Sequence, residues 1–174
     1  MDPTADIMQL VRQVAGIDLG QGKRSMVEGR LAKRLRVLGL DLATYARRCR
    51  EDAAERDQLI DLLTTNHTAW RREADHFTDF ERRVLPRLAE RQRTAPRPRL
   101  RLWCAAAATG EEPWTITLSV LRALPQAAHW DIAILATDIC QRALGVATAG
   151  VYDDERIAPL TDGDRALALE PHVD

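Results

Sequence analysis

Apolar residues recur at helical spacing from the start of the chain. Ile7, Leu10, Val11 and Val14 predict a helix over 4–15, with Thr4 as its N-cap. Met26, Val27, Leu31, Leu35 and Leu38 line one face of a second helix over 24–38, which Gly39 ends; its other face carries Arg30, Lys33, Arg34 and Arg36. Three more helices fit 42–51, 54–64 and 75–92. The polar, β-branched stretch 64–68 between the last two is a poor helix interior and reads as a loop. After residue 98 the period changes. Leu100, Leu102 and Cys104 alternate with Arg101 and Trp103, as in a buried strand. A small-residue turn over 105–110 follows, then a helix opened by Pro113 and running to Leu124. Residues 132–137 form a second apolar strand that ends in Asp138, and 141–149 a helix closed by Gly150. The remaining residues predict a helix or two and no third strand. The fold class is therefore α + α/β: an all-helical part, then the opening of a Rossmann-like, doubly wound fold.

The proline-bearing stretch 93–98 cannot continue a helix, and it divides the chain into an expected helical domain over 1–93 and an α/β domain over 99–174. Charge changes there too. Residues 1–98 carry 19 Lys+Arg against 15 Asp+Glu, and residues 99–174 carry 6 against 11, so a net near −1 conceals a basic first part and an acidic second. A pI of about 6.4 and basic residues without interleaved aromatics argue against nucleic acid as a partner. No apolar run approaches the ~18–20 residues that span a bilayer, and the first residues lack a leader pattern, so the expectation is a cytoplasmic chain. Cys49, Cys104 and Cys140 form no CxxC, and the four histidines have no metal-ligand spacing, so no metal is expected.

The turn over 105–110 lets a ligand approach the backbone closely, and the helix behind it adds a partial positive charge. Glu111 and Glu112 stand where a phosphate would sit, and neither GxGxxG nor GKS/GKT is present. Two carboxylates there suit a ligand bearing an amine or a sulfonium; they equally suit the helix dipole alone. Asp138 ends its strand where such folds place a carboxylate on ribose hydroxyls, a position that also serves as a helix N-cap. Turn and acid together favour an adenosine-containing ligand without phosphates, and S-adenosylmethionine fits that description.

Residues 102–116, from Leu102-Trp103-Cys104 through Thr109-Gly110-Glu111-Glu112-Pro113-Trp114, closely resemble the cofactor motif of the chemotaxis receptor methyltransferase (CheR) family. Thr64 to Glu73, with His76-Phe77 after it, resembles the family's second signature. Ala136-Thr137-Asp138-Ile139 with Gly150-Val151-Tyr152, and the basic helix around Arg30–Gly39, resemble two more. The resemblance implies a helical domain joined to a methyltransferase domain, and methyl transfer from S-adenosylmethionine to glutamate side chains of chemoreceptors. It implies cofactor contacts at Asn66, Thr68, Arg72, Ala105, Glu111 and Asp138. Arg72 would also act catalytically on the acceptor carboxylate, its other role being an ion pair with Glu73 or Asp75. Arg30, Lys33, Arg34 and Arg36 would dock an acidic receptor helix. Trp70-Arg71 replaces two phenylalanines of the family, and Trp114-Thr115 replaces Tyr-Ser. Against the family the sequence reads as C-terminally truncated, so the alternative expectation is an inactive remnant that binds a receptor or another partner.

Overall fold

A computed structural model describes residues 2–124 and 126–170. The chain folds as two compact units, Met1–Thr65 with Ile139–Gln141, and Asn66–Asp138 with Arg142–Asp174.

The first unit is helical. Helix α1 (Pro3–Ala15) begins at Asp2, whose side chain accepts from the Thr4 backbone N–H, and ends at Gly16 in a left-handed conformation. Asp2 is thus the N-cap in place of Thr4, which is buried and donates its hydroxyl to Glu28 at 2.7 Å. Helix α2 (Arg24–Leu38) stops at Gly39, φ 66°. Helices α3 (Leu42–Glu51) and α4 (Ala53–Leu63) are capped by Asp41 and Asp52. Ile7, Val11, Val27, Leu31, Tyr45, Cys49 and Leu59 form the core, each large aliphatic among them contributing about 1.5–3 kcal/mol by burial. Val14, on the predicted apolar face, is instead 46% exposed.

A buried charge ties α2 to α4. Glu55 accepts from Arg34 through both carboxylate oxygens, at 2.8 and 2.6 Å, with Arg48 3.6 Å away. The paired Arg34 guanidinium holds the Glu55 carboxyl below the usual carboxylate range, against the opposing effect of burial. Arg30 donates to the carbonyls of Leu63 and Thr64, both at 2.9 Å, and so satisfies the end of α4. Of the four basic residues on the outer face of α2, only Lys33 and Arg36 are exposed.

The second unit begins at Asn66, not after residue 98. The helical segment before the strands belongs to it because Phe80, Leu85, Leu88 and Ala89 share a core with Leu100, Val120, Leu124 and Ile132. Nor is that segment one regular helix. Helix α5 (Ala74–Asp79) passes through a π-helical stretch, Phe80–Val84, into α6 (Leu85–Arg91). Pro86 lacks an N–H and would crowd the Arg82 carbonyl, and the Leu85 N–H reaches back to Phe80, one residue further than an α-helix allows.

Strand β1 (Arg99–Cys104), helix α7 (Glu111–Ala123) and β2 (Asp131–Ala136) make a parallel βαβ unit, in register from Arg99 opposite Asp131 to Cys104 opposite Ala136. Helices α8 (Gln141–Ala149), α9 (Asp154–Ile157) and α10 (Asp162–Ala168) follow. The two strands are covered on one face only. Leu100 and Cys104 are buried, but Trp103 is 68% and Leu135 59% exposed, so the fully buried strand that the apolar run predicted is half-covered.

Candidate functional site

The parallel register brings the ends of both strands to one place, the carboxyl edge where such sheets bind ligands. There the turn over 105–110 is zipped to the end of β2. Thr137 donates to the Cys104 carbonyl and Ala107 to that of Thr137, each at 2.9 Å. The Ala108 N–H donates to Asp138 Oδ2 at 2.7 Å. Asp138 is thus joined to the turn, in which Ala105 and Ala106 are exposed. Ala108 has φ 47° and Gly110 φ 101°. A Cβ on Gly110 would collide with Tyr152 Oη and lie 3.0 Å from Ala147 Cα, so only glycine fits.

The two glutamates after Gly110 diverge, because successive helical positions point about 100° apart. Glu111 is 2% exposed. Its Oε1 lies 2.6 Å from Arg156 Nη2 and its Oε2 accepts from the Thr109 hydroxyl at 2.7 Å. Arg156 also donates to that hydroxyl at 2.7 Å, and Tyr152 donates to the Thr109 carbonyl at 2.8 Å. Burial and the nearby Glu111 carboxylate push the Tyr152 phenol up to about 12. Glu112 is exposed and lines a cleft of about 420 Å³ with Arg72, Glu73, Phe77, Trp103 and Ile116. The Cys104 thiol donates to its Oε1 at 3.6 Å.

Arg72 is held between two strained neighbours: Arg71 at φ 51° and Glu73 at φ 58°. Its Nη1 donates to the His67 carbonyl at 2.8 Å; the Glu73 carboxylate pairs with His76 at 3.1 Å. Arg71 takes up its own unusual position through a network. Its N–H donates to Thr115 Oγ1 at 3.2 Å and its guanidinium pairs with Glu81 at 3.0 Å. Glu81 also accepts from Ser119 at 2.7 Å and Arg122 at 3.3 Å, and Arg122 pairs with the buried Asp164. Trp70 packs edge-on to Tyr152, ring centroids 5.4 Å apart. The Trp70-Arg71 departure therefore has its compensation: one ring is buried, and the charge beside it is paired.

Arg72 and Glu112 thus share a cleft, and Asp138 shares the turn with Ala105, while Glu111 is turned toward Arg156. Asn66 and Thr68 are half-buried in the loop leading to Arg72 and are not among the residues lining the cleft. Sequence reasoning missed Arg156 and Glu81, which reach the site over 45 and 38 positions of chain and carry no local pattern. Tyr152 belongs to the family-like segment Gly150-Val151-Tyr152, whose sequence assigns it no role.

Residues 4–64 match the family described as CheR methyltransferase, all-alpha domain, and residues 66–168 the CheR methyltransferase, SAM binding domain. The division between these matches coincides with the boundary between the two compact units. A probable chemotaxis protein methyltransferase of Rhizobium etli is 39% identical over 156 residues, 87% of this chain and 57% of its own length. The chemotaxis protein methyltransferases of Klebsiella aerogenes and Escherichia coli are 41% and 40% identical, over 89% of this chain and 51% and 52% of theirs. The chain spans about half the length of the curated relatives it matches. The matched domain takes S-adenosylmethionine, and the donor set fits that molecule. The exposed Ala105 and Ala106, carboxylates at Asp138 and Glu112, and an aromatic-lined cleft suit a ribose and a cationic end, and would repel a polyphosphate. Among the described residues no helix is long and apolar enough to cross a membrane.

Proposed function

The chain belongs to the CheR methyltransferase family, and on that premise we propose that it methylates glutamate side chains of methyl-accepting chemotaxis receptors in the cytoplasm. The observation that carries this reading is the shared cleft of Arg72 and Glu112, beside the turn that Asp138 closes. Asp138 would hold the ribose of S-adenosylmethionine, Ala105 and Glu111 its methionyl end, with Asn66 and Thr68 contributing from the loop. When bound, that cofactor supplies an electrophilic sulfonium methyl. The acceptor carboxylate is ionised at neutral pH, so the protein need supply no general base. Its own residues have two tasks, alignment and exclusion of water. Arg72, exposed and carried on a strained loop, would hold the acceptor carboxylate through charge-assisted hydrogen bonds. Of the basic residues Arg30, Lys33, Arg34 and Arg36, the exposed Lys33 and Arg36 would meet an acidic receptor helix and carry its steering, while Arg30 and Arg34 serve contacts within the unit.

No observation favours the inactive binding module. The test is transfer of a labelled methyl group from S-adenosylmethionine to an acidic receptor helix containing glutamates. Base-labile label on the helix, lost in Arg72→Ala, supports the reading; an unlabelled helix beside a folded, cofactor-binding protein overturns it.

A further inference from the structure

We propose that Arg156 limits the affinity of the site by competing with the cationic end of the ligand for Glu111. This rests on the reading of the turn over 105–110 as the cofactor turn. Both oxygens of Glu111 are already engaged, Oε1 by Arg156 at 2.6 Å and Oε2 by Thr109 at 2.7 Å, in a carboxylate that is almost wholly buried. A ligand ammonium can use this carboxylate only by displacing the guanidinium. Arg156 is able to leave: its side chain is 36% exposed, so water can take up the guanidinium once it lets go of Glu111, whereas its contact with the Tyr152 ring, Cζ 5.6 Å from the centre, belongs to the paired position. Tyr152 stays in place meanwhile, held to the Thr109 carbonyl and to Trp70. The turn therefore keeps its shape while its buried anion changes partner. The wild-type affinity is the intrinsic affinity reduced by the fraction of molecules in which Arg156 is off Glu111. A released fraction of about one tenth makes that reduction about tenfold.

The sign separates competition from simple support. A strut, once removed, weakens both the fold and binding. A competitor, once removed, lowers thermal stability, because Glu111 loses its cation, yet tightens binding. The experiment is calorimetric titration of S-adenosylhomocysteine into wild type, Arg156→Gln and Arg156→Lys, with a thermal melt of each by tryptophan fluorescence. We expect Arg156→Gln to melt lower and bind about tenfold more tightly, and Arg156→Lys, whose ammonium cannot span Glu111 and Thr109 together, to bind about threefold more tightly. Should the glutamine variant fail to fold, the lysine variant still gives the sign. Equal or weaker binding by the folded variants, with wild type binding normally, overturns the inference and leaves the cofactor reading intact. No binding by any of the three, wild type included, overturns the cofactor reading and the inference with it.

Discussion

Replacing Glu81 by glutamine removes the charge at the centre of the network behind Arg72. Its Oε1 accepts from Ser119 at 2.7 Å, Arg71 at 3.0 Å and Arg122 at 3.3 Å. The Glu81 and both arginine side chains are between 20% and 29% exposed, and Ser119 is buried. A charge-assisted hydrogen bond contributes about 1.5–3 kcal/mol and an exposed ion pair about 0–1 kcal/mol. Glutamine keeps one acceptor, so the variant should lose about 2 kcal/mol. Burial works to raise the Glu81 carboxyl, but the Ser119 hydroxyl and the Arg71 and Arg122 guanidiniums outweigh it and hold it below the usual range. A carboxyl depressed in the folded state stabilises fully above its unfolded pKa, and that stability is lost as pH falls through the folded value. The gap between wild type and Glu81→Gln should therefore narrow in acid. The assay is urea unfolding followed by tryptophan fluorescence. All four tryptophans, Trp70, Trp103, Trp114 and Trp130, lie in the second unit, so the signal reports that unit. A second readout is hydrogen exchange at the Arg71 amide, which should speed up once its left-handed backbone loses its anchor. A stability difference below about 0.5 kcal/mol, or one that does not change between pH ~7 and pH ~4, would refute this account of how the loop is held.

Gly110→Ala should cost the second unit about 3 kcal/mol in the same urea assay, since it combines a positive φ with a clash against Tyr152. Glu55→Gln should destabilise the first unit by about 3 kcal/mol, read as faster amide exchange in α2 and α4. The Glu55 carboxyl is held low by Arg34, so this difference too is present at neutral pH and shrinks as pH falls through the folded pKa. Burial and the neighbouring Glu112 carboxylate push the Cys104 thiol up to about 11. At pH ~8 it should alkylate about 100-fold more slowly than a free thiol, and Glu112→Gln should speed it up, as peptide mass mapping would reveal.

Much of this arrangement is legible in the chain because it is local. The helix over 24–38 with its glycine stop, the two strands and the turn between them each follow from spacing a few residues long. The domain boundary was misread because Pro96 and Pro98 interrupt the chain within one unit. What places residues 74–91 there is the apolar contact of Phe80 and Leu85 with Leu100 and Val120, which no local pattern announces. The N-cap moved to Asp2 for a similar reason: Thr4 has a more distant partner in Glu28. The basic face of α2 read as one stripe, yet Arg30 and Arg34 are drawn to a helix end and a buried carboxylate contributed by α4. At the site, turn, glutamates and Asp138 were visible in sequence. That Glu111 is already engaged by a cation was not, since it depends on Arg156 arriving from 45 residues away.

The central claim is that the second unit holds S-adenosylmethionine at the turn over 105–110. The most direct measurement is calorimetric titration of S-adenosylhomocysteine into the purified chain, with Asp138→Ala as control. Saturable binding at one site per chain, abolished in the variant, is the predicted result. No detectable heat from a sample whose tryptophan unfolding is cooperative would contradict it.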